Sequence, residues 1–458
     1  MSKHNVSRRK LFGAAAAGAL TAAVSAVSDP GRAAAQAVGV KPGDLPDLTI
    51  KEVRIYVLKP EPPRNGGGAP GGGAPSGPGG RNGGRNGGRS GEQGAAANGA
   101  GGRNGGGAGP GGPMIRRGEQ LTSVVTASGL EGNYVLAPRY SHVNWTTLGW
   151  LEAAKRTLVG KNVLDLPVFT SQWHSPVGQL SYAAAIDNCL WDILGKAVNL
   201  PVYRILGAYR ERVRAYASSQ HLRTVDDFVA DVEHAKSQGF TAYKIHPPWL
   251  ANNEVDYKLD IEVAKAVRKT GGDNMALLFD RVGAYTRLEA MKVGRALDEL
   301  NYVSFEDCLP TGDMEGLAEL VKALDVPVTM GEFLGSPYDY AKYIRFGALD
   351  EVRFIVDNIG GITSGMKVAE MAECFGMQCQ PHNWGTLLDH AVHFHCELAM
   401  PNNVWFEMTQ PMGITDRPYF KDQLRIDKDG YVPAPGKPGL GYEIDYDALH
   451  NAIDHVET

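Results

Sequence analysis

At 458 residues, 43% apolar and 21% charged, the chain has side chains for more than one packed unit and does not fit a fibrous or wholly disordered protein. Its formal charge of −5 is unevenly spread: residues 1–37 and 64–113 each carry a net +4, which leaves −13 for the remainder. A body that acidic is a poor partner for nucleic-acid phosphates, and it admits an anionic substrate only where a cation sits inside the pocket.

The first 37 residues read as a targeting segment. Ser7-Arg8-Arg9-Lys10-Leu11-Phe12 is a twin-arginine pattern, an Ala-rich stretch runs over 11–27, and Ala35-Gln36-Ala37 offers a cleavage site that leaves Val38 first. The stretch is too short and too weakly apolar for a membrane anchor, so export to the periplasm is expected. Residues 64–113 repeat Arg-Asn-Gly-Gly at 64, 81, 85 and 103 and hold almost no apolar side chain. Such a segment cannot repay the entropy of ordering, and a flexible loop is expected in preference to an RNA-binding tail. It interrupts two strand patterns, 48–58 and 121–127. Helical patterns follow over 147–158 and 181–196; in the second, Ala184, Ile186, Leu190, Ile193 and Leu194 form an apolar face.

From Arg212 the rhythm changes to short apolar runs alternating with amphipathic stretches. Strands are predicted at 213–217, 242–246, 276–280, 302–306, 326–332, 353–357, 377–382 and 404–407, and helices at 226–238, 288–300, 314–324 and 365–375. Eight such units predict a (β/α)₈ barrel over 206–410. It is preceded by an α+β capping domain (45–205), which the segment 411–458, with a final helix over 446–453, returns to complete. Five cysteines (Cys189, Cys308, Cys374, Cys379, Cys396) without a CxxC pair are expected to be buried thiols rather than a disulfide or zinc framework.

Ionisable groups close seven of the eight strands: Lys244 and His246, Asp280, Glu306, Glu332, Asp357, His382 and Glu407. In a barrel these ends converge on one mouth. Asp280, Glu306 and Glu332 are spaced 26 and 26 residues apart, one βα unit each. Three inward carboxylates at one height repel unless neutralised, and oxygen-only ligands favour Mg²⁺, with Mn²⁺ as the alternative, over zinc.

The stretch Leu190-Trp191-Asp192-Ile193-Leu194-Gly195-Lys196-Ala197 with Pro201-Val202-Tyr203 resembles the helix before the barrel in the mandelate racemase branch of the enolase superfamily. Lys244-x-His246, the three carboxylates, Asp357 with Gly360-Gly361-Ile362-Thr363, His382, Glu407 and Pro438-Gly439-Leu440-Gly441 with Glu443 follow that branch in order. The resemblance implies an enzyme that removes the proton alpha to a carboxylate. It implies that His382 is oriented by Asp357, that Glu407, if protonated, could donate a hydrogen bond to the developing enediolate, and that His246 or Lys244 acts from the opposite side. Dehydration of a sugar acid to a 2-keto-3-deoxy acid is the favoured outcome. Racemisation, epimerisation or cycloisomerisation is the alternative, and an exported binding protein without turnover a third. The expected partners are a small-molecule carboxylate and further copies of the chain, with no nucleic acid. Two departures stand out: Arg281-Val282 after Asp280, and Phe305-Glu306-Asp307-Cys308 in place of a Glu-Glu-Pro pattern. His390, His393 and His395 are expected on the surface of one helix and receive no role.

Overall fold

The computed structural model describes residues 42–59, 119–136, 147–165, 180–250, 254–413 and 416–457. The targeting segment and the Gly-rich stretch lie outside the described residues. Strands β1 (Ile50–Leu58), β2 (Gln120–Thr126) and β3 (Glu131–Leu136) form an antiparallel sheet with the final strand β13 (Ile453–Glu457), in the order β13-β1-β2-β3. Val57 lies opposite Gln120 and Tyr56 opposite Val456, so the chain's end does return to this sheet. The sequence missed β3 and β13; the predicted last helix stops at Ala452 (α12, Tyr446–Ala452) and the next five residues are strand. Before the barrel come α1 (Thr147–Leu158), α2 (Leu180–Ala197) and α3 (Val202–Leu206).

Eight parallel strands make the barrel: β4 (Arg212–His221), β5 (Ala242–His246), β6 (Ala276–Asp280), β7 (Ser304–Glu306), β8 (Val328–Met330), β9 (Glu351–Val352), β10 (Gln378–Cys379) and β11 (Trp405–Thr409). They pair in the order β10-β9-β8-β7-β6-β5-β4-β11, and β12 (Tyr431–Pro433) adds antiparallel to β4. Side chains bridge the seam between β10 and β11: Gln380 Oε1 accepts from the N–H groups of Val404 and Trp405, and Asn403 Nδ2 donates to the Cys379 carbonyl. The helices between are α4 (Val225–Ser237), α5 (Tyr257–Gly271), α6 (Arg287–Glu299), α7 (Met314–Ala323), α8 (Pro337–Phe346), α9 (Val356–Ile359), α10 (Ile362–Cys374) and α11 (Leu387–Ala399). Several start on side-chain caps that the sequence carries, such as the reciprocal Thr224–Asp227 and Thr286–Glu289 pairs.

Later strands are shorter than predicted. The stretch 353–357, read as a strand, contains no strand residue: β9 ends at Val352, and the chain turns into α9, whose Val356 N–H donates to His393 Nε2. A short apolar run is ambiguous between strand and buried helical turn, and here tertiary hydrogen bonding decides. Four of the cysteines are buried as expected, but Cys374, in the last turn of α10, is exposed.

Helix α2 joins the sheet to the barrel. Asp187 accepts from the Thr363 N–H and hydroxyl, Asn188 Oδ1 from the Ile362 N–H, and Trp191 Nε1 donates to Thr363 Oγ1. The otherwise unpaired first turn of α10 is thereby capped from another helix. Asp192 accepts from the Asn133 and Leu440 N–H groups and from Lys196 Nζ. Gly361 must be glycine: φ is +96°, and a Cβ there would sit 2.4 Å from Asp187 Oδ2.

Candidate functional site

The C-terminal ends of β5 to β8 place Lys244, His246, Asp280, Glu306 and Glu332 around one buried space, and Glu407 enters from β11. Lys244 Nζ lies 2.8 Å from Glu407 Oε1, 2.9 Å from Glu306 Oε2 and 3.7 Å from Asp280 Oδ2. Arg353, which sequence reasoning passed over, is buried just beyond β9. It pairs with Glu306, Glu407 and, at 3.2 Å, Glu332. Five carboxyls, counting Asp307, thus share two permanent cations. That imbalance in a dry site is what a divalent ion would correct.

The electrostatics follow this crowding. Burial and the neighbouring carboxylates raise Glu332 and Asp307 well above the usual carboxylate range, and burial also raises Glu306 against the pull of Arg353 and Lys244. Asp280 goes the other way: burial opposes its ionisation, but the His246 hydrogen bond and charge, with Lys244, hold it below the ordinary value. Burial likewise opposes the charge on Lys244, yet Glu306 and Glu407 outweigh it and keep the ammonium protonated.

Two expectations need correction. Glu407 is not set up as a proton-bearing donor. Burial alone would raise it, but Arg353, Lys244 and His382 hold it well below the ordinary range. Ser218 Oγ, Trp384 Nε1 and the Asn383 N–H also donate to it, as only an ionised carboxylate can accept so many. Asp357 does not orient His382. It sits in α9, where Oδ1 accepts from the Tyr134 hydroxyl of β3 at 2.7 Å, and the same hydroxyl contacts Asp389 at 3.1 Å. Because the chain coils into α9 after Phe354, Asp357 is carried away from the mouth toward the sheet.

His382 comes from the loop after β10; its N–H bonds the Phe354 carbonyl and its Nε2 lies 3.7 Å from Glu332. His246 approaches from β5. Its Nδ1 is 2.7 Å from the Ser219 carbonyl, so that nitrogen carries the hydrogen, and Nε2 reaches Asp280 at 3.1 Å. Trp384 and His221 stand edge-on to the His246 ring. His390, His393 and His395 are buried, not on the surface as expected. His393 and His395 accept the N–H groups of Val356 and Tyr203, capping α9 and α3.

Asp280, Glu306 and Asp307 each bring a carboxylate oxygen within 4.8 Å of the others, and Glu332 falls outside that trio. Donor chemistry fits a hard cation: oxygens only and full burial. Asp307 was noted in the sequence only as a departure from pattern, and nothing there marked it as part of the cluster. Among the described residues no helix is long and apolar enough to cross a membrane.

Residues 227–448 match the family model described as enolase C-terminal domain-like. Arabinonate dehydratase of Saccharolobus solfataricus is 30% identical over 264 residues, covering 57% of this chain and 69% of that protein. D-galactarolactone cycloisomerase of Agrobacterium fabrum is 30% identical over 282 residues, covering 59% and 73%. Among solved structures, D-glucarate dehydratase from Agrobacterium tumefaciens complexed with magnesium superposes with a TM-score of 0.71 at 25% identity, over 90% of this chain and all (100%) of that one.

Proposed function

The chain belongs to the enolase superfamily, on its mandelate racemase and muconate lactonizing branch, and from that premise we propose that it dehydrates a sugar acid to a 2-keto-3-deoxy acid with Mg²⁺ as cofactor. One observation carries the reading: two imidazoles, His246 from β5 and His382 from beyond β10, flank a buried carboxylate cluster, touching Asp280 and Glu332. Asp280, Glu306 and Glu332 would hold the cation, which when bound offsets the charge that develops on the substrate carboxylate.

The remaining work falls to side chains of the chain itself. One imidazole takes the alpha proton as the C–H bond breaks. The other protonates the β-hydroxyl, so that the C–O bond breaks and water leaves; the enol then tautomerises to the ketone, with no oxidant or reductant needed. Lys244, held as an ammonium among Glu306, Glu407 and Asp280, is a fixed positive charge and not a base. Glu407 is the anion that fixes Lys244 and Arg353 in place. The cycloisomerase relative and the paired imidazoles support a second reading, proton transfer without loss of water. Incubation with hexonates, pentonates and aldarates in D₂O separates the readings. A 2-keto-3-deoxy product supports dehydration, alpha-proton exchange without water loss supports isomerisation, and neither with any acid sinks both in favour of a binding protein. Export through the twin-arginine route is part of the proposal and rests on residues 7–37; a Lys-Lys replacement of Arg8-Arg9 should trap the protein in the cytoplasmic fraction.

A further inference from the structure

Pro247 and Pro248 follow His246 directly, so two successive φ angles are fixed and neither residue has an N–H to give. The backbone of this corner between β5 and α5 is therefore held through its carbonyls, and each is taken by a side chain from a flanking strand. On the β4 side, His221 Nδ1 donates to the Pro247 carbonyl at 2.7 Å. On the β6 side, Arg281 Nη2 donates to the Pro248 carbonyl at 3.4 Å. With both prolines stiff, little rotation is left between His246 and Trp249. Whatever pins this corner also fixes Trp249 relative to the imidazole.

Arg281-Val282 is one of the two departures of the sequence from the branch's pattern, and the proposed chemistry gives Arg281 no task. Alternation along β6 turns Asp280 into the mouth and Arg281 outward, toward α5. There its Nε pairs with Asp260 at 3.2 Å, and its guanidinium carbon stands 4.8 Å from the centre of the Trp249 ring. The side chain is completely buried, yet Nη1 has no hydrogen-bond partner. An arginine kept for stability spends its donors on carbonyls, as Arg268 does on those of Gly272, Met275, Leu300 and Asn301. Arg281 forgoes such bonds for the face of an indole, an attraction that strengthens once the cation is desolvated. The turn behind it is strained: Val282 has a φ of +55°, an outlier for a β-branched residue, and its N–H donates to Asp280 Oδ1 at 2.8 Å. Trp249 is 39% exposed. Its ring lies 5.1 Å from that of His221, which stands edge-on to His246 at 5.3 Å.

We propose that Arg281 is a positioning residue: it seats Trp249 as a wall beside His246, against which the C–H face of a sugar acid's distal carbons packs. The inference rests on reading the mouth as a sugar-acid site. It is tested on the full chain by a double-mutant cycle of R281M and W249A, with kcat and KM for the acid that the parent turns over and Mg²⁺ affinity by calorimetric titration. Each single variant should raise KM about tenfold while kcat and Mg²⁺ affinity stay within about threefold, as expected when binding and not chemistry is lost. The pair should be no worse than W249A alone, because Arg281 acts through that ring. Multiplied losses in the pair, or a parent-like KM in R281M, overturn the inference. Should R281M fold poorly, R281K takes its place: it keeps a cation opposite Asp260 but lacks the planar fork that bonds Pro248 while covering the indole, so it should share the raised KM. The seating is also read without turnover, as acrylamide quenching of the Trp249 emission, taken as the difference between each protein and its W249F counterpart. Loss of the guanidinium cover should raise that quenching about twofold; unchanged quenching overturns the inference. A parent that turns over no sugar acid sinks the functional reading, and the quenching then still decides whether Arg281 seats Trp249.

Discussion

The barrel mouth and the joint made by α2 both bury carboxylates, yet they treat them in opposite ways. At the joint, Asp187 and Asp192 accept from backbone N–H groups, a threonine hydroxyl and one lysine; each oxygen has a donor, although burial still raises Asp187 to about 7. At the mouth, Asp280, Glu306, Asp307 and Glu332 push on one another, and Asp307 has no donor at all. A buried carboxyl whose oxygens all have donors holds two elements together. Buried like charges left unanswered are a site kept ready for a cation and a substrate.

That contrast can be broken by experiment. The largest effect is expected from chelation, which should abolish turnover and be reversed by Mg²⁺; activity that survives exhaustive EDTA would remove the reason for the crowded mouth. Next, His382→Asn and His246→Asn should each lower kcat by about 10²–10⁴-fold, with Mg²⁺ affinity retained in a direct titration. At the joint the expected loss is stability instead. Asp192→Ala strands the Asn133 and Leu440 N–H groups and should cost about 2–4 kcal/mol in chemical denaturation, whereas Glu332→Gln in metal-free protein should be neutral or stabilising because it relieves repulsion. Equal destabilisation by the two would erase the distinction.

A smaller effect concerns pH. Burial pushes His393 down to about 3 against an ordinary value of 6.5. The unfolded chain therefore binds a proton there that the folded chain refuses. The stability that the neutral ring contributes is complete above pH ~6.5 and is lost as pH falls toward 3, by up to about 1.4 kcal/mol per unit. His393→Gln keeps an acceptor for the Val356 N–H without the titration, so denaturation midpoints of parent and variant should converge or cross as pH drops from 7 to 4. The smallest change is expected from deleting residues 64–113, which should move the melting temperature by only a few degrees, since the segment has almost no apolar surface to bury.

Much of this was readable in the chain. Period and spacing gave eight βα units and put Lys244, His246, Asp280, Glu306 and Glu332 at strand ends, because a parallel strand buried on both faces must be an apolar run and its first ionisable residue marks where the run meets the mouth. The same logic failed at Asp357. Nothing in Phe354-Ile355-Val356 distinguishes a strand from a buried helical turn until His393 supplies an acceptor for the Val356 N–H. The histidines of α11 were misread for a related reason: their spacing says helix, but whether that helix is covered depends on α3 and α9, which lie far away along the chain.

What the sequence determined alone was the order of the strands, the helix caps and the kinds of side chain brought to the mouth, all properties of local periodicity and composition. Tertiary structure decided which charges answer one another. Glu407 is held below the ordinary carboxylate range because Lys244 and Arg353 reach it from β5 and from just beyond β9, and Asp307 joins the cluster because Thr329 and Gly283 lock a left-handed residue at the end of β7. Electrostatic energy in a dry interior depends on distances of a few ångströms between residues far apart in the chain, and only the folded structure sets those distances.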